Sequence, residues 1–473
     1  MLVERYPPVS LFAFVPKLFC DFEPVLRELD RLLEDDEILQ RIKADLARRA
    51  PNALNLGRPS TPVEVILRLL VVKRLYGWSY EEVEHFVSDS LVLRQFCRVY
   101  LEKVPDHTTL LRWANLIAPE TLLAINERVV ALARGLKVTR GRKLRVDSTV
   151  VETTIHHPSD SSLLGDGVRV LSRLLRRAKM ALQETADLGK AVFRTRTRSA
   201  RRLVQGLHRL GRRKGEEARR TMRSAYARLI AVAQKTRAQA ARVCGVLQTR
   251  CDAPARRLRG QFETILPRLE RVIMQTMRRV LGGETVPAGE KIVSLFEPHS
   301  QIIVRHKAGK PVEFGRKLWL EEVDGGIVSG WRLLDQAGPD SAHLASSLAA
   351  HRARFGRPPW LVAADRGVFS SENEVHARQV GVDRVVIPAS GRASSAERVR
   401  MGKQRWFRRG FRFRAGIEGR ISVLQRCYGL DRCPDHGEAG LGRWVGWAIL
   451  TANLERIGRT LSARAADAAT PAA

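Results

Sequence analysis

Two short, unbroken apolar runs leave few folds open to this chain. Leu361, Val362, Ala363 and Ala364 close on Asp365, and Val385, Val386 and Ile387 close on Pro388. Consecutive apolar residues with a hard stop are the pattern of a strand buried on both faces, the kind found in sheets covered by helices. A third segment, 143–155 (KLRVDSTVVETTI), is dominated by β-branched residues and holds Asp147 among Leu144, Val146 and Val150. Strand chemistry recurs at 302–304, 312–320 and 327–328, the last after a Val-Asp-Gly-Gly turn. Helical patterns fill the gaps, at 339–354, 413–430 and 441–458, so an alternating α/β layout is expected.

Residues 1–135 predict helices. Ser60-Thr61-Pro62 reads as a cap with Pro at the first helical position, and Val63, Ile66, Leu67, Leu70 and Val71 recur at helical spacing up to Gly77. Ser79 and Glu82 form a capping-box pattern that starts a second helix after a three-residue turn, which gives the pair a helix-turn-helix look. A further helix is expected from Thr108. The final residues, 461–473, are Ala-rich and read as a disordered tail.

Charge is concentrated. Residues 161–260 carry 26 Lys and Arg against 6 Asp and Glu, which is +20 of the chain's net +32, and no acid occurs over 188–215. A solvated helical face usually alternates sign, whereas a block of one sign seeks a polyanion, and nucleic acid is the expected partner. The block, 165–285, is helical in pattern, with Arg176, Arg177, Arg201, Arg202, Arg212, Arg213 and Lys214 as its candidate contacts. No run approaches a membrane span, the N-terminus lacks the order of a signal peptide, and a bacterial-type cytosol is expected. The six Cys form no CxxC pair. A Cys427/Cys433/His436 metal set is conceivable, and reduced core thiols are the simpler reading.

Three carboxylates stand out by context. Asp147 lies within a strand, Asp365 ends one, and Glu418 sits in a helix amid arginines. Each has an ordinary reading, and Arg145 on the same strand face offers Asp147 an ion pair. Together they are a hard-oxygen set suited to two Mg²⁺ or Mn²⁺ ions in phosphodiester chemistry. Arg414 and Glu418 are four residues apart and share a helix face, with Gln425 seven further on and Arg426 beside it. The preceding segment, 403–414, interleaves Lys403, Arg405, Arg408, Arg409, Arg412 and Arg414 with Trp406, Phe407, Phe411 and Phe413. It reads either as a strand-tracking groove with base stacking or as an amphipathic edge strand with its rings in the core.

The segments Val146-Asp147-Ser148-Thr149, then 364–370 (ADRGVFS), then Phe411-x2-Arg414-x3-Glu418-x6-Gln425 resemble a bacterial insertion-sequence transposase of the DDE class. The stretch from Val146 to Leu175 is especially similar to the ISNCY group, and 51–118 resembles the helical N-terminal domain of such proteins. The family's third motif has Tyr where Phe411 stands and Lys where Gln425 stands. The resemblance implies an RNase-H-like mixed-sheet core with Asp147, Asp365 and Glu418 as catalytic metal ligands for two Mg²⁺ or Mn²⁺ ions. It also implies cleavage at terminal inverted repeats, strand transfer into target DNA, and at least a homodimer.

The expected layout is then a helical, DNA-binding 1–135, a first core part at 136–164, a basic helical insertion at 165–285, and the rest of the core at 286–460. Arg414, Arg426, Arg408, Arg409, Arg412 and Lys403 are the expected DNA contacts beside the acids. Two alternatives stay open: a nuclease on the same fold that never joins strands, and a basic nucleic-acid-binding protein or inactive copy.

Overall fold

The computed structural model describes residues 3–5, 7, 22–50, 52, 53, 55, 59–182, 192–307, 310–335, 339–388 and 396–469. They form two compact units, one of residues 1–152 with 317–473, the other of 153–316. In chain order the helices begin with α1 (Pro24–Leu32), α2 (Asp36–Ala47), α3 (Val63–Tyr76), α4 (Tyr80–Asp89), α5 (Leu91–Phe96), α6 (His107–Leu116) and α7 (Pro119–Gly135). Strand β1 (Lys143–Thr153) follows, then α8 (Asp160–Ala181), α9 (Thr197–Leu210), α10 (Glu216–Gln248), α11 (Ala253–Thr276) and β2 (Gln301–Lys307). Next come β3 (Lys310–Val323), β4 (Ile327–Leu334), α12 (Leu344–Phe355), β5 (Leu361–Ala363), α13 (Ser371–Gln379) and β6 (Arg384–Val386). The chain closes with α14 (Ala396–Lys403), α15 (Arg405–Tyr428), β7 (Arg432–Cys433) and α16 (Gly437–Ala469).

The first unit holds the sheet. β4 pairs antiparallel with β3, β3 neighbours β1, and β1, β5 and β6 run parallel, with β7 added beside β1. The parallel strands are the apolar runs of the sequence: Leu144, Val362 and Val385 are buried. The β3–β4 turn needs glycine, since Gly325 (φ 86°) and Gly326 (φ 78°) both lie in the left-handed region, and a Cβ on Gly325 would sit 2.2 Å from the Val138 carbonyl.

The N-terminal helices share this unit's core. Helices α1, α3 and α7 pack on α16, and α7 also covers β4. Leu29, Ile66, Val129, Val146, Trp319 and Leu454 belong to one buried cluster. From Pro24 to Gly135 the described residues are mostly helical, as expected, yet they pack with the sheet in one unit. Helix α16 also runs to Ala469, into the segment expected to be a disordered tail. Alanine is the best helix former, so SARAADAA extends a helix already nucleated by packing.

Buried polar groups on β4 are matched. Asn453 Oδ1 accepts the Val328 N–H at 2.9 Å, while its Nδ2 donates to Val328 O and to Asn126 Oδ1, both at 2.8 Å. One amide side chain thus satisfies the strand's backbone where water does not reach.

His351 of α12 is fully buried, stacked on Phe355 at 4.6 Å and hydrogen-bonded to Gly141 O at 3.0 Å. Burial pushes its pKa down to about 4. The unfolded chain then takes up a proton near pH 6.5 that the folded chain refuses, so stability falls as pH drops from 6.5 toward 4. We expect the parent to lose roughly 2–3 kcal/mol between pH 7.5 and pH 4.5 through this residue. Urea melts of the parent and His351→Gln at both pH values check this, and parallel losses would contradict it.

The second unit is a helical bundle. Helices α8, α9, α10 and α11 pack on one another around Leu171, Leu175, Leu229, Val243, Phe262 and Leu269. Beside them, β2 pairs antiparallel with the first half of β3, Gln301 opposite Gly315 and Val304 opposite Val312. Asp160, the first residue of α8, receives Arg279 at 2.6 Å and Gln275 at 3.2 Å, while Ser159 caps the helix. Among the described residues no helix is long and apolar enough to cross a membrane.

Candidate active site

Strand register sets two of the acids side by side. Arg145 of β1 is opposite Ala363 of β5, the strands are parallel, and Asp147 and Asp365 each lie two residues further on. Both therefore emerge past the same end of the pair. Asp365 then accepts the Arg366 N–H at 2.7 Å as the chain turns into a short 3₁₀ segment, and Asp147 accepts the Ser148 N–H at 2.7 Å.

Helix α15 brings the third acid. It crosses the sheet closely because glycine faces the strands: a Cβ on Gly410 would meet Val386 Cγ2 at 2.5 Å, and one on Gly416 would meet Arg145 Nη1 at 2.3 Å. Trp406, Phe407 and Phe413 pack on Leu361, Ala363 and Val386 from the same helix. Gly410→Ala is thus expected to lift α15 and cost about 1–3 kcal/mol. Thermal melts check the cost, and an unshifted Tm would mean that the crossing is looser than this.

The three acids meet one guanidinium. Arg414 Nη1 lies 2.9 Å from Glu418 Oε1, while its Nη2 lies 3.2 Å from Asp365 Oδ1 and 3.7 Å from Asp147 Oδ2. Arg414 is 12% exposed, Asp147 16%, Asp365 51% and Glu418 65%, so the group is walled on one side and open to solvent on the other. Burial pushes the Asp147 carboxyl up to about 6; Asp365 and Asp340 push the same way, and the Ser148 N–H and Arg414 oppose them.

Asp340 is an acid the sequence did not single out. It accepts Ser148 Oγ at 3.0 Å and pairs with Lys317. It lies in the first turn of the 339–354 helical pattern, where an acid is ordinary. Arg145, the ordinary ion-pair alternative for Asp147, pairs instead with the buried Glu322 at 2.7 Å, where Arg420 joins at 3.2 Å. Residues two apart on a strand share a face but stand nearly 7 Å apart, and the neighbouring strand offers a closer acid.

The remaining expected contacts fall as follows. Gln425 Nε2 donates to Thr149 Oγ1 at 3.3 Å, which holds it against β1, and Arg426 is exposed. Lys403 is exposed at the end of α14, as are Arg408, Arg409 and Arg412 on α15; the segment is helix, which removes the edge-strand alternative and leaves the groove reading open. Phe411 is exposed while the other three rings pack. In the second unit Arg176, Arg177, Arg201, Arg202, Arg212, Arg213 and Lys214 all face solvent. His156 lies 3.5 Å from Asp166, and His157 packs edge-on against Phe314.

The helix-turn-helix pattern folds as read, with Gly77 (φ 71°) ending α3 and the Ser79–Glu82 capping box starting α4. Its surface is less suited to DNA than expected. α3 is buried nearly all round, and α4 carries Glu81, Glu82, Glu84 and Asp89 with no Lys or Arg. Helix α6, capped by Asp106, exposes Thr108, Arg112 and Asn115 instead.

Among the described residues no three His, Cys, Asp or Glu side chains gather closely enough, as they stand, to hold a metal ion. Cys427 is exposed and Cys433 buried, neither in a disulfide, and Cys433 Sγ donates to Asp435 O at 3.5 Å. Cys20 is outside the described residues.

A sheet with two strand-end acids, a helix-borne third and a shared arginine defines an α/β protein with a polyacidic surface site. Residues 17–116 match the family model described as Transposase domain (DUF772), which likens this part of the chain to a transposase family. No curated protein and no solved structure matches the chain.

Proposed function

We propose that this chain is a DDE-class DNA transposase of a bacterial insertion sequence, most similar to the ISNCY group. The observation that carries this reading is the convergence of Asp147, Asp365 and Glu418, from three separate elements, on one guanidinium. The match over 17–116 supports it independently. So does strand order: leaving β2 aside, β4-β3-β1-β5-β6 puts the first strand at the centre with the fourth and fifth parallel beside it, in keeping with an RNase-H-like core.

The donor set fits hard divalent cations, since all three side chains are carboxylates and two are open to solvent. Asp147, Asp365 and Glu418 would hold two Mg²⁺ or Mn²⁺ ions, which when bound would activate a water or 3′-hydroxyl and stabilise the leaving oxygen. Arg414 sits where an incoming phosphate can draw it from the acids, and Arg408, Arg412 and Arg426 lie exposed along the same helix. End recognition falls to residues 51–118, with α6 better suited than α4 on charge. The exposed arginines of the second unit supply sequence-independent affinity for DNA. Synapsis of two ends requires at least a homodimer, acting in the cytoplasm on the nucleoid.

The test is cleavage of labelled DNA carrying the flanking repeats, with Mg²⁺ and a target plasmid, for the parent, Asp365→Asn and Glu418→Gln. The expected result is nicking at the repeat ends and joined product for the parent, and binding without cutting for both variants. Cutting without joining would make the protein a nuclease. Binding without cutting by the parent would favour the second reading, a non-catalytic DNA-binding protein. One observation speaks for that reading: Arg414 already stands among the acids, pairing with Asp365 and Glu418.

A further inference from the structure

The first unit contains a cavity of about 600 Å³ between the start of the parallel strands and the first turns of α15. Trp360, Trp406 and Phe413 line it together with Lys143, Arg405 and Arg409, and among the described residues no acid does. Its volume falls within the ~300–1,000 Å³ usual for small-ligand sites.

Its position separates it from the acids. Lys143 begins β1 and Leu361 begins β5, whereas Asp147 and Asp365 lie past the other end of the same pair. Four residues of strand place the two sites about 13 Å apart. Helix α15 joins them, with Arg409 and Phe413 at one and Arg414 and Glu418 at the other.

The lining is unusual in chemistry. Among the described residues the side-chain cations of Lys143, Arg405 and Arg409 pair with no carboxylate, and the Asp324 carboxylate meets Lys143 only at its backbone N–H. Lys143 Nζ lies 5.6 Å from the Phe413 ring centre, and the Arg384 guanidinium lies 4.5 Å from that of Trp406. Trp360 is 37% exposed, a large ring left in water at the rim. Trp406 and Phe413 are held by packing on Leu361, Ala363 and Val386, so their orientation is fixed before any ligand arrives.

A bare phosphate would use the cations and leave the rings idle. An apolar ligand would do the reverse and bury charge without a partner. A flat ring carrying a phosphate uses both. Bases in a duplex are stacked on one another and cannot enter such a pocket, whereas an unpaired base can. We propose that this cavity binds one unpaired nucleotide of a DNA strand, its base against Trp360 and Trp406 and its phosphate held by Lys143, Arg405 and Arg409. The proposal rests on the nucleic-acid part of the functional reading and not on catalysis.

The probe is a short single-stranded oligonucleotide with a central 2-aminopurine, mixed with the full chain in EDTA. Stacking on tryptophan quenches this base, so the parent should quench it. Trp360→Ala should weaken single-strand binding at least fivefold, with a much smaller loss on a duplex of the same sequence. The double variant Arg405→Gln, Arg409→Gln should reduce the slope of log K against log salt by roughly 1.4, two released counterions at ~0.7 each. Trp406→Phe, which preserves a ring in the core, guards against misfolding and should retain partial quenching. Absence of quenching by a parent that binds and cuts duplex DNA would overturn this site alone. Trp360-dependent quenching by a parent that never cuts would instead overturn the transposase reading alone. Equal losses on single strand and duplex would also overturn the site.

Discussion

Asp147→Asn is expected to abolish cation-dependent cleavage and, at the same time, to make the protein more stable at pH 7.5. The carboxyl is pushed up to about 6 in the folded chain, from an ordinary value near 3.8, chiefly by burial. For an acid this sign means that the folded state holds the proton more tightly than the unfolded state. Stability from this group is therefore greatest below about pH 4, falls as pH rises through 4 to 6, and stays low above. A shift of about two units corresponds to roughly 3 kcal/mol at neutral pH, an upper figure because Arg414 also faces the group. Asparagine has no charge to desolvate and escapes the penalty. Urea melts should show the variant ahead of the parent at pH 7.5 and level with it at pH 4. Mg²⁺ or Mn²⁺ should close the gap by stabilising the parent alone. Loss of one of three acids should cost cleavage roughly a thousandfold, equivalent to several kcal/mol of charge stabilisation. A variant less stable than the parent at pH 7.5 would mean that Asp147 serves as the partner of Arg414 and that the site is an ordinary ion-pair cluster.

The sequence made the acids legible because each sits at a local boundary. Asp365 ends an apolar run, Asp147 interrupts one, and Glu418 follows Arg414 by one helical turn. What it concealed depends on distance across the chain. Glu322 takes Arg145 from Asp147 only because β3 lies within reach, and nothing near residue 145 announces that. The segment 403–414 was open to a strand reading because Phe411 and Phe413 alternate with arginines. The stronger signal was Trp406, Gly410, Phe413 and Ile417, spaced three and four apart, which is the buried stripe of a helix. The merging of N-terminal helices with the sheet is equally nonlocal. It is made by α16, whose Leu454 and Ile457 join the cluster that holds Leu29 and Ile66, some four hundred residues away along the chain. The unsuitability of α4 for DNA is local and legible, since EEVEHFVSD carries four acids and no Lys or Arg, a signal independent of capping and turn length.

Arg414→Ala is expected to bind Mn²⁺ at least tenfold more tightly than the parent in the absence of DNA, and to cleave DNA poorly. One guanidinium cannot serve three carboxylates and share them with a divalent cation: its two terminal nitrogens lie 2.9 Å from Glu418, 3.2 Å from Asp365 and 3.7 Å from Asp147. Its Nε is buried without a hydrogen-bond partner among the described residues, so the side chain is held mainly by the acids at its tip. A competing anion of higher charge density, such as a backbone phosphate, is then able to draw the tip outward. In the parent, cation affinity should accordingly rise when DNA is added. In Arg414→Ala the acids repel one another without compensation, and the cation becomes their best partner; tenfold corresponds to about 1.4 kcal/mol. Cleavage still falls, because the phosphate loses its own cationic contact. Arg414→Lys should lie between, since a point charge lacks the fork that reaches separate acids at once. Titration of free Mn²⁺, followed by its paramagnetic resonance signal, measures each affinity directly and without turnover. If Arg414→Ala binds Mn²⁺ no more tightly than the parent, the guanidinium does not stand in the cation's place, and the acids would then serve to orient Arg414 toward DNA.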